Sequence, residues 1–244
     1  MLELKDIYWN TPEGEAIVKG ISLSVPEGKL TVITGPNGGG KTSLSKLIAG
    51  IYRPNGGQML LDGQDITEWD ITKRAQNGIA YAFQQPVRFK GLTVRDLLEL
   101  SAEETIAADK LCSMLGTVGL CAQDYMDRTM DSSLSGGESK RIEIATVLCR
   151  KNAEIMVFDE PEAGIDLWSF SNLINAFERL KTESGRTLII ISHQERIMAI
   201  ADYIAVVADG KLKSFGSREE ILPQLLAGDR SSMCPVKTVE KEGC

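Results

Sequence analysis

The sequence predicts an α/β protein whose core is a mainly parallel β-sheet flanked by helices. Short apolar segments rich in β-branched residues alternate along the chain with segments of helical spacing, as KLTVIT, EIMVFDE and RTLIIIS alternate with KTSLSKLIAG and SFSNLINAFERLKTE. A helix between two strands carries the chain back to the same end of a sheet, so such strands pair in parallel. This alternation therefore favours a sheet with helices packed against it.

The other predicted elements fill the rest of the chain. Strands are predicted at LELKDIYW, ISLSV and GIAYAFQ and in the closing YIAVVADGKLKSFG, with a hairpin-like piece at GGQMLLDGQDI. Helices are predicted at ESKRIEIATVLCRK and ERIMAIAD, and over most of 92–133, where Thr93 and Asp96 are expected to form a capping-box-like start. Gly50 is the expected C-cap of KTSLSKLIAG. Residues 228–244 are polar and aperiodic, which predicts a mobile tail after one domain over 1–227.

The composition is ordinary for one globular domain. The 244 residues are 43% hydrophobic and 25% charged, with a net charge of −7. The acidic balance disfavours nucleic-acid binding through a basic surface, so no nucleic-acid partner is expected. The five scattered cysteines form no CxxC pair, which predicts reduced thiols of a cytoplasmic protein. The charged start of the chain and the short apolar runs predict neither a signal peptide nor a membrane span.

A glycine-rich segment between a predicted strand and a predicted helix carries the strongest chemical signal. It matches G-x-x-x-x-G-K-[ST] and consists of Gly35, Pro36, Asn37, Gly38, Gly39, Gly40, Lys41, Thr42 and Ser43. Glycines let successive backbone N–H groups wrap around phosphate oxygens, and the following helix N-terminus adds its dipole. We expect Lys41 to reach the β- and γ-phosphates and the Thr42 hydroxyl to bind Mg²⁺. A glycine-rich turn with an unrelated lysine is the alternative, which the order of strand, loop and helix disfavours.

Two acids follow the apolar segment IMVF. Asp159 and Glu160 come at the C-terminal end of a predicted strand, where α/β sheets bind their ligands. We expect Asp159 to hold Mg²⁺ through water and Glu160 to polarise the water that attacks the γ-phosphate. Taken alone, the pair is explained equally well as two solvated acids at a strand end.

Three weaker signals lie elsewhere. The segment LSGGESKR (134–141) opens an apolar-periodic helix and offers another anion-binding helix N-terminus, although a flexible turn explains it better when it is taken alone. His193 is the only histidine and directly follows a predicted strand, and Gln84 ends another. Taken singly, His193 is better explained as a surface or core residue, and Gln84 carries no signal.

Together, the order and spacing of these motifs resemble the ATP-binding-cassette (ABC) ATPase family over residues 1–225. The segment LSGGE distinguishes this family from other phosphate-loop ATPases. The resemblance implies a phosphate-loop ATPase core with an N-terminal antiparallel β subdomain and an inserted α-helical subdomain at about 92–140. It also implies Mg²⁺-dependent hydrolysis of ATP by two copies that sandwich the nucleotides head to tail.

The same resemblance implies roles for individual residues. ATP held by one copy is capped in trans by the other copy's residues Ser135, Gly136, Gly137 and Glu138. The Mg²⁺ site consists of Thr42, Gln84 and Asp159. Gln84 links that site to the helical subdomain, and His193 contacts the γ-phosphate and holds the water and Glu160 in place. Asp166 communicates between the two sites.

One position departs from the family pattern. Many members stack adenine on an aromatic residue just before a P-x-G turn, and Thr11 stands at that position here. Tyr8 and Trp9 fall two or three residues too early. The resemblance therefore does not extend to base stacking by this segment.

Several segments resemble one group within the family, the SufC ATPases of the SUF iron–sulfur cluster assembly machinery. They are FQQPVRFKG (83–91), SGGESKRIEI (135–144) and HQERI (193–197). This resemblance implies that ATP hydrolysis drives a conformational change in a SufB/SufD-type soluble scaffold, which is the partner. DEPEAGID and GLTVRDLLEL are typical of transporter ATPases, which keeps the nucleotide-binding subunit of a membrane transporter as the alternative. An ATP-dependent dimerisation clamp with slow hydrolysis is the third possibility.

Overall fold

The computed structural model describes residues 1–231, apart from 86, 88, 90, 132 and 184. In chain order the elements are β1 (Leu2–Asn10), β2 (Ala16–Val25), β3 (Leu30–Thr34), α1 (Lys41–Ile48), β4 (Gly56–Leu61), β5 (Gln64–Asp65), α2 (Ile71–Gln76), β6 (Ile79–Ala82), α3 (Val94–Ala102), α4 (Ala108–Thr117), α5 (Ala122–Tyr125), α6 (Gly136–Cys149), β7 (Ile155–Asp159), α7 (Leu167–Glu183), β8 (Thr187–Ile191), α8 (Glu195–Ile200), β9 (Tyr203–Ala208), β10 (Lys211–Ser217) and α9 (Arg218–Ser231). Within the described residues, no helix combines the length and the apolarity needed to cross a lipid bilayer.

The larger sheet has six strands in the order β10-β9-β3-β8-β7-β6. The strands from β9 to β6 pair in parallel, while β10 at the edge is antiparallel to β9. The central strands β3, β8 and β7 are buried along their whole length, which explains their continuous apolar sequences, since a parallel sheet is covered on both faces. The predicted α/β core with a mainly parallel sheet is confirmed.

The smaller sheet has four strands in the order β2-β1-β4-β5, and all its pairs are antiparallel. Its buried apolar residues join α1 and one face of the larger sheet in a single hydrophobic cluster. The sheet thus covers the helix that follows the glycine-rich loop. It is the N-terminal antiparallel β subdomain that the sequence resemblance implies.

The helices α3 to α6 lie between β6 and β7 in the chain and form the inserted helical part of the fold. α3 begins with the predicted capping box: Thr93 Oγ1 accepts from the Asp96 N–H at 3.1 Å, and Asp96 Oδ2 accepts from the Thr93 N–H at 2.8 Å. α3 packs on α6, and their buried apolar residues continue into the other face of the larger sheet. α6 therefore belongs to the helical part and to the core at once.

The predicted strand GIAYAFQ is shorter in the structure, because β6 ends at Ala82. The N–H of Phe83 donates to Glu143 Oε1 at 2.8 Å, and its carbonyl accepts from the Lys140 ammonium. Two side chains of α6 therefore take the place of strand partners for Phe83. The ladder stops at Ala82, two residues before Gln84.

Three other elements differ from the sequence prediction. β2 begins at Ala16, five residues earlier than ISLSV. The helices α2 and α9 are not predicted, since α2 is only six residues long and α9 contains Pro223, a residue that usually interrupts a helix. α9 runs to Ser231 and so enters the range 228–244 that the composition assigns to a tail. The rest of that range, including Cys234 and Cys244, lies outside the described residues.

Candidate nucleotide site

The residues predicted to bind the phosphates and Mg²⁺ and to act in hydrolysis gather at one edge of the larger sheet. The glycine-rich loop follows β3, His193 follows β8, Asp159 ends β7 and Gln84 follows β6. These four strands are consecutive neighbours and parallel, so their carboxyl ends meet where α/β sheets bind ligands. A cleft of about 500 Å³ lies at this edge, and it is lined by Ile17, Asn37, Gly38, Gly39, Gly40, Lys41, Thr42, Ser43, Gln84, Glu160 and His193.

The glycine-rich loop needs glycine at its first position. Gly35 has a φ of 135°, and a Cβ there would lie 2.1 Å from the carbonyl oxygen of Val207 on β9. Any side chain would therefore push the loop off the sheet. Because Gly35 has no side chain, the loop can begin directly after the buried strand β3 and stay against β9.

Lys41 points its ammonium group into the loop. Its Nζ donates to the carbonyls of Gly35 and Pro36, each at 2.8 Å. Burial lowers the pKa of Lys41, and the nearby carboxylates of Glu160 and Asp159 oppose that shift. The loop thus holds a cation at its centre beside the free N–H groups of the first turn of α1, an arrangement suited to phosphate oxygens.

The helix α1 is held at its C-terminal end by the predicted glycine. Gly50 has a φ of 76°, its N–H donates to the Leu47 carbonyl, and the N–H of Ile51 donates to the Lys46 carbonyl. This is the Schellman pattern, with Ala49 as C-cap and Gly50 as the following residue. The helix that carries Lys41 and Thr42 therefore has a fixed end.

Asp159 is fully buried and receives three hydroxyl groups. Thr42 Oγ1 donates to its Oδ1 at 3.3 Å, and Ser45 Oγ and the Tyr81 hydroxyl donate to its Oδ2 at 3.1 and 3.0 Å. Burial raises the pKa of Asp159, and these hydrogen bonds oppose the shift. The Thr42 and Asp159 oxygens, side by side next to the loop, fit a small cation that prefers oxygen ligands, as Mg²⁺ does.

Glu160 and Gln84 contact each other at the mouth of the cleft. Gln84 Nε2 donates to Glu160 Oε2 at 2.8 Å. Glu160 has a φ of 47°, a left-handed backbone conformation that costs energy for a residue with a side chain. Strain of this kind is common where a side chain is aimed for function. The structure places both residues with His193 on the wall of the same cleft.

The segment predicted to act in trans forms the N-terminus of α6. Ser135 is its N-cap and Glu138 completes a capping box, since Glu138 Oε2 accepts from the Ser135 N–H at 2.7 Å. Hydrogen bonds from the Tyr125 hydroxyl and from Ser135 lower the pKa of Glu138 to about 2. A Cβ on Gly137 would lie 2.5 Å from the Gly164 carbonyl oxygen, so a glycine is required. None of Ser135, Gly136, Gly137 and Glu138 lines the cleft of the described chain.

Asp166 lies outside the cleft and caps α7. Its Oδ1 accepts from the N–H groups of Trp168 and Ser169 at 3.1 and 3.0 Å, and the hydrogen bonds from Ser169 lower the pKa of Asp166. The two side chains that follow it, Leu167 and Trp168, are exposed. The carboxylate is thus fixed beside an exposed apolar pair.

Several residues of this edge are not found by sequence reasoning. Ser45 and Tyr81 bind Asp159, and nothing in their local sequence signals it. Ile17 lines the cleft because β2 starts at Ala16. Glu162 accepts from Ser192 Oγ at 2.5 Å, which joins the segment after β7 to the residue before His193.

The aromatic residues near the N-terminus are engaged within the chain. Trp9 stacks on Tyr52 with ring centroids 4.3 Å apart. Thr11 closes a turn, since its N–H donates to the Glu15 carbonyl at 2.8 Å. The cleft wall on this side is supplied by Ile17.

Comparison with known proteins assigns the class. Residues 18–163 match the ABC transporter family. A relative from Methanocaldococcus jannaschii, the uncharacterized ABC transporter ATP-binding protein MJ0035, is 36% identical over 91% of this chain and 90% of its own length. The spermidine/putrescine import ATP-binding protein PotA of Mesoplasma florum is 32% identical over 91% of this chain, which spans 63% of PotA.

A solved structure has the same fold. It is a dimeric post-hydrolysis state of the ATP-binding cassette MJ0796 bound to ADP and Pi, with a TM-score of 0.79 at 22% identity, covering 89% of this chain and 99% of that one. The chain described here belongs to the ABC transporter family, as an ATP-binding cassette. It is an ATPase that uses ATP with Mg²⁺.

Proposed function

We propose that this chain is the nucleotide-binding subunit of an ABC membrane transporter and that two copies act together on a membrane partner. The observation that carries the proposal is the similarity over nine-tenths of the chain to proteins named as ABC transporter ATP-binding proteins. PotA, which is named for spermidine/putrescine import, supports the same class. We expect the subunit at the cytoplasmic face of the membrane, where ATP is available and cysteines stay reduced.

In this proposal each residue of the cleft has a separate role in binding or hydrolysing ATP. Lys41 and the first turn of α1 bind the phosphates, and Thr42 and Asp159, with Gln84, hold Mg²⁺, which neutralises charge on the phosphate oxygens when bound. Glu160 is the general base for the attacking water. His193 orients that water and the γ-phosphate. The strained backbone of Glu160 and its contact with Gln84 support these assignments.

The second copy completes the site. Ser135–Glu138 form a well-capped helix N-terminus that does not face the cleft of its own chain, which supports a contact with the nucleotide of the other copy. Asp166 lies next to the exposed Leu167 and Trp168 and would link the two sites.

A second candidate is the SufC-like ATPase that drives a SufB/SufD-type scaffold. One specific observation favours it: two of the SufC-like segments contact each other. Lys140 of SGGESKR is buried, and its ammonium donates to the carbonyls of Phe83 and Gln84, which begin the segment FQQPVRFKG. The rest of that segment includes residues 86, 88 and 90, which lie outside the described residues.

Affinity purification of the tagged chain from its own cells tests the proposal. The variant Glu160→Gln serves alongside wild type, because it should hold the ATP-bound state and its partner. Recovery of a multi-span membrane protein from the detergent extract would support the transporter subunit. Recovery of a soluble β-rich scaffold in the detergent-free fraction, without any membrane protein, would replace it by the second candidate. Recovery of neither, together with slow turnover, would favour the dimerisation clamp.

A further inference from the structure

We propose that Lys140 and Glu143, here called the α6 pair, are positioning residues that hold the backbone of Phe83 and Gln84 and thereby set the contact between Gln84 and Glu160. Both lie on α6, one turn apart, and both bind the backbone of Phe83, the residue before the cleft-lining Gln84. The inference rests on the proposed role of Gln84 in hydrolysis and deepens it.

The Lys140 ammonium donates to three backbone carbonyls at the ends of β6 and β7. It donates to the carbonyl of Phe83, to that of Gln84 at 3.3 Å and to that of Asp159 at 3.4 Å. The side chain is 1% exposed. One cation of α6 therefore joins the ends of β6 and β7, the two strands that deliver Gln84 and Asp159.

Glu143 binds the same residue through the preceding peptide unit. Its Oε1 accepts from the Phe83 N–H at 2.8 Å, and its Oε2 lies 3.8 Å from Lys140 Nζ. Phe83 thus has both its N–H and its carbonyl bound to α6 side chains. Its backbone cannot shift without breaking a charge-assisted hydrogen bond.

The α6 pair is poorly explained as a stability device. Taking two charges out of water costs more than their attraction returns in many proteins, and apolar replacements of similar volume are often at least as stable. Here the charges sit at the junction of α6 with the residue next to Gln84. The pair therefore serves to position Gln84, because it fixes the backbone from which the Gln84 side chain extends to Glu160 at 2.8 Å.

The pair also connects the N-terminus of α6 with the nucleotide cleft of its own chain. Ser135 caps α6 five residues before Lys140, a rise of about 7.5 Å along one helix. A displacement of the α6 N-terminus as it closes on the second copy's nucleotide would therefore move the Phe83–Gln84 backbone of its own site. The α6 pair gives that motion a direct mechanical route to Glu160.

The test compares Lys140→Met with a matched lysine elsewhere. Lys181 donates to the Ile200 carbonyl at 3.1 Å and pairs with Asp202 at 2.8 Å, and none of these three residues lines the cleft, so Lys181→Met is the control. In the purified full chain with Mg²⁺ and ATP, K140M should lower kcat at least roughly tenfold, since small misplacements of catalytic groups are costly. Its affinity for a non-hydrolysable ATP analogue should stay within about twofold of wild type. K181M should change neither value.

A double-mutant cycle with Gln84→Ala shows whether the pair acts through Gln84. K140M should lower kcat in the wild-type background and have little further effect in the Q84A background, because the positioned group is already gone. The variant K140M/E143M, which removes both charges at similar volume, should reproduce the fall in kcat without loss of folded protein. An unchanged kcat in K140M and K140M/E143M, or a full additive effect in Q84A, would overturn the inference.

Hydrogen exchange gives a readout that does not depend on turnover. The amides of residues 79–85 should exchange faster in K140M/E143M than in wild type or K181M, since Phe83 loses its partners. If Q84A leaves kcat unchanged, the proposed role of Gln84 fails, and the exchange result alone decides whether the pair holds the segment. Unchanged protection at these amides would show that it does not.

Discussion

The replacement of Arg74 by methionine should strongly destabilise the protein, although Arg74 touches no part of the cleft. The side chain lies on α2 with 0% exposure, and burial lowers its pKa to about 10. Its guanidinium donates to five backbone carbonyls, at 2.7 to 3.3 Å, which belong to Leu47, Ile48, Ile66, Thr67 and Trp69. Two of these carbonyls end α1, the helix that carries Lys41.

The magnitude follows from the carbonyls that lose their donor. Each buried acceptor left unsatisfied costs about 1–3 kcal/mol, and relief of the buried charge offsets part of the sum, so we expect a loss of about 3–5 kcal/mol. For a chain of this size, each kcal/mol lowers Tm by about 2–4 °C, which gives a fall of roughly 6–20 °C. Arg74→Lys keeps the positive charge but has only three donors, so its Tm should lie between those of wild type and R74M.

Thermal unfolding followed by circular dichroism measures the effect. Arg53 is exposed, and Arg53→Met is the control for loss of one positive charge. A Tm for R74M within about 2 °C of R53M would mean that water or rearranged backbone satisfies the carbonyls, and the reasoning would fail.

Three further variants test the nucleotide site. Lys41→Ala should weaken binding of an ATP analogue at least roughly a hundredfold, because the expected charge-assisted contacts with the β- and γ-phosphates would be lost. Lys46→Ala, on the same helix, is the control, and near-wild-type affinity in K41A would show that the loop is misassigned. Glu160→Gln should bind ATP but hydrolyse it about 10²- to 10⁴-fold more slowly, the usual contribution of a general base, and should elute as a persistent dimer with ATP. An unchanged rate and elution volume would contradict this. His193→Ala should lower kcat more than it weakens ATP binding, and a loss confined to binding affinity would rule out its contact with the reacting phosphate.

The class of fold is predictable because it depends on local signals. β3, β7 and β8 are continuous apolar runs, and the capping box at Thr93 and the glycine after α1 use residues that are close in the chain. The loop from Gly35 is equally local, since strand, glycines and helix follow directly. These features need no knowledge of distant partners.

The residues that escaped prediction satisfy polar groups across long sequence separations. Tyr81 lies 78 residues from Asp159, and the Phe83 N–H lies 60 residues from Glu143. α6 shows the difficulty most clearly, because Lys140 and Glu143 are buried among apolar neighbours while their side chains are polar. Hydrophobic periodicity assigns such residues to a solvent-facing side, and only the tertiary structure supplies the backbone groups that they bind.

The charges at the cleft support the proposed pairing of two copies. Lys41 faces the carboxylates of Asp159 and Glu160, so the described charges of the inner cleft sum to a negative value before ATP, itself an anion, is added. Binding therefore needs further positive potential, which Mg²⁺ and the N-terminus of α1 supply in part. The N-terminus of α6 is a second source, and the carboxylate of Glu138 within it is engaged by Tyr125 and by Arg128 at 3.7 Å. That helix end does not line its own cleft, so in the proposed head-to-tail pair it would add its positive potential to the nucleotide of the other copy.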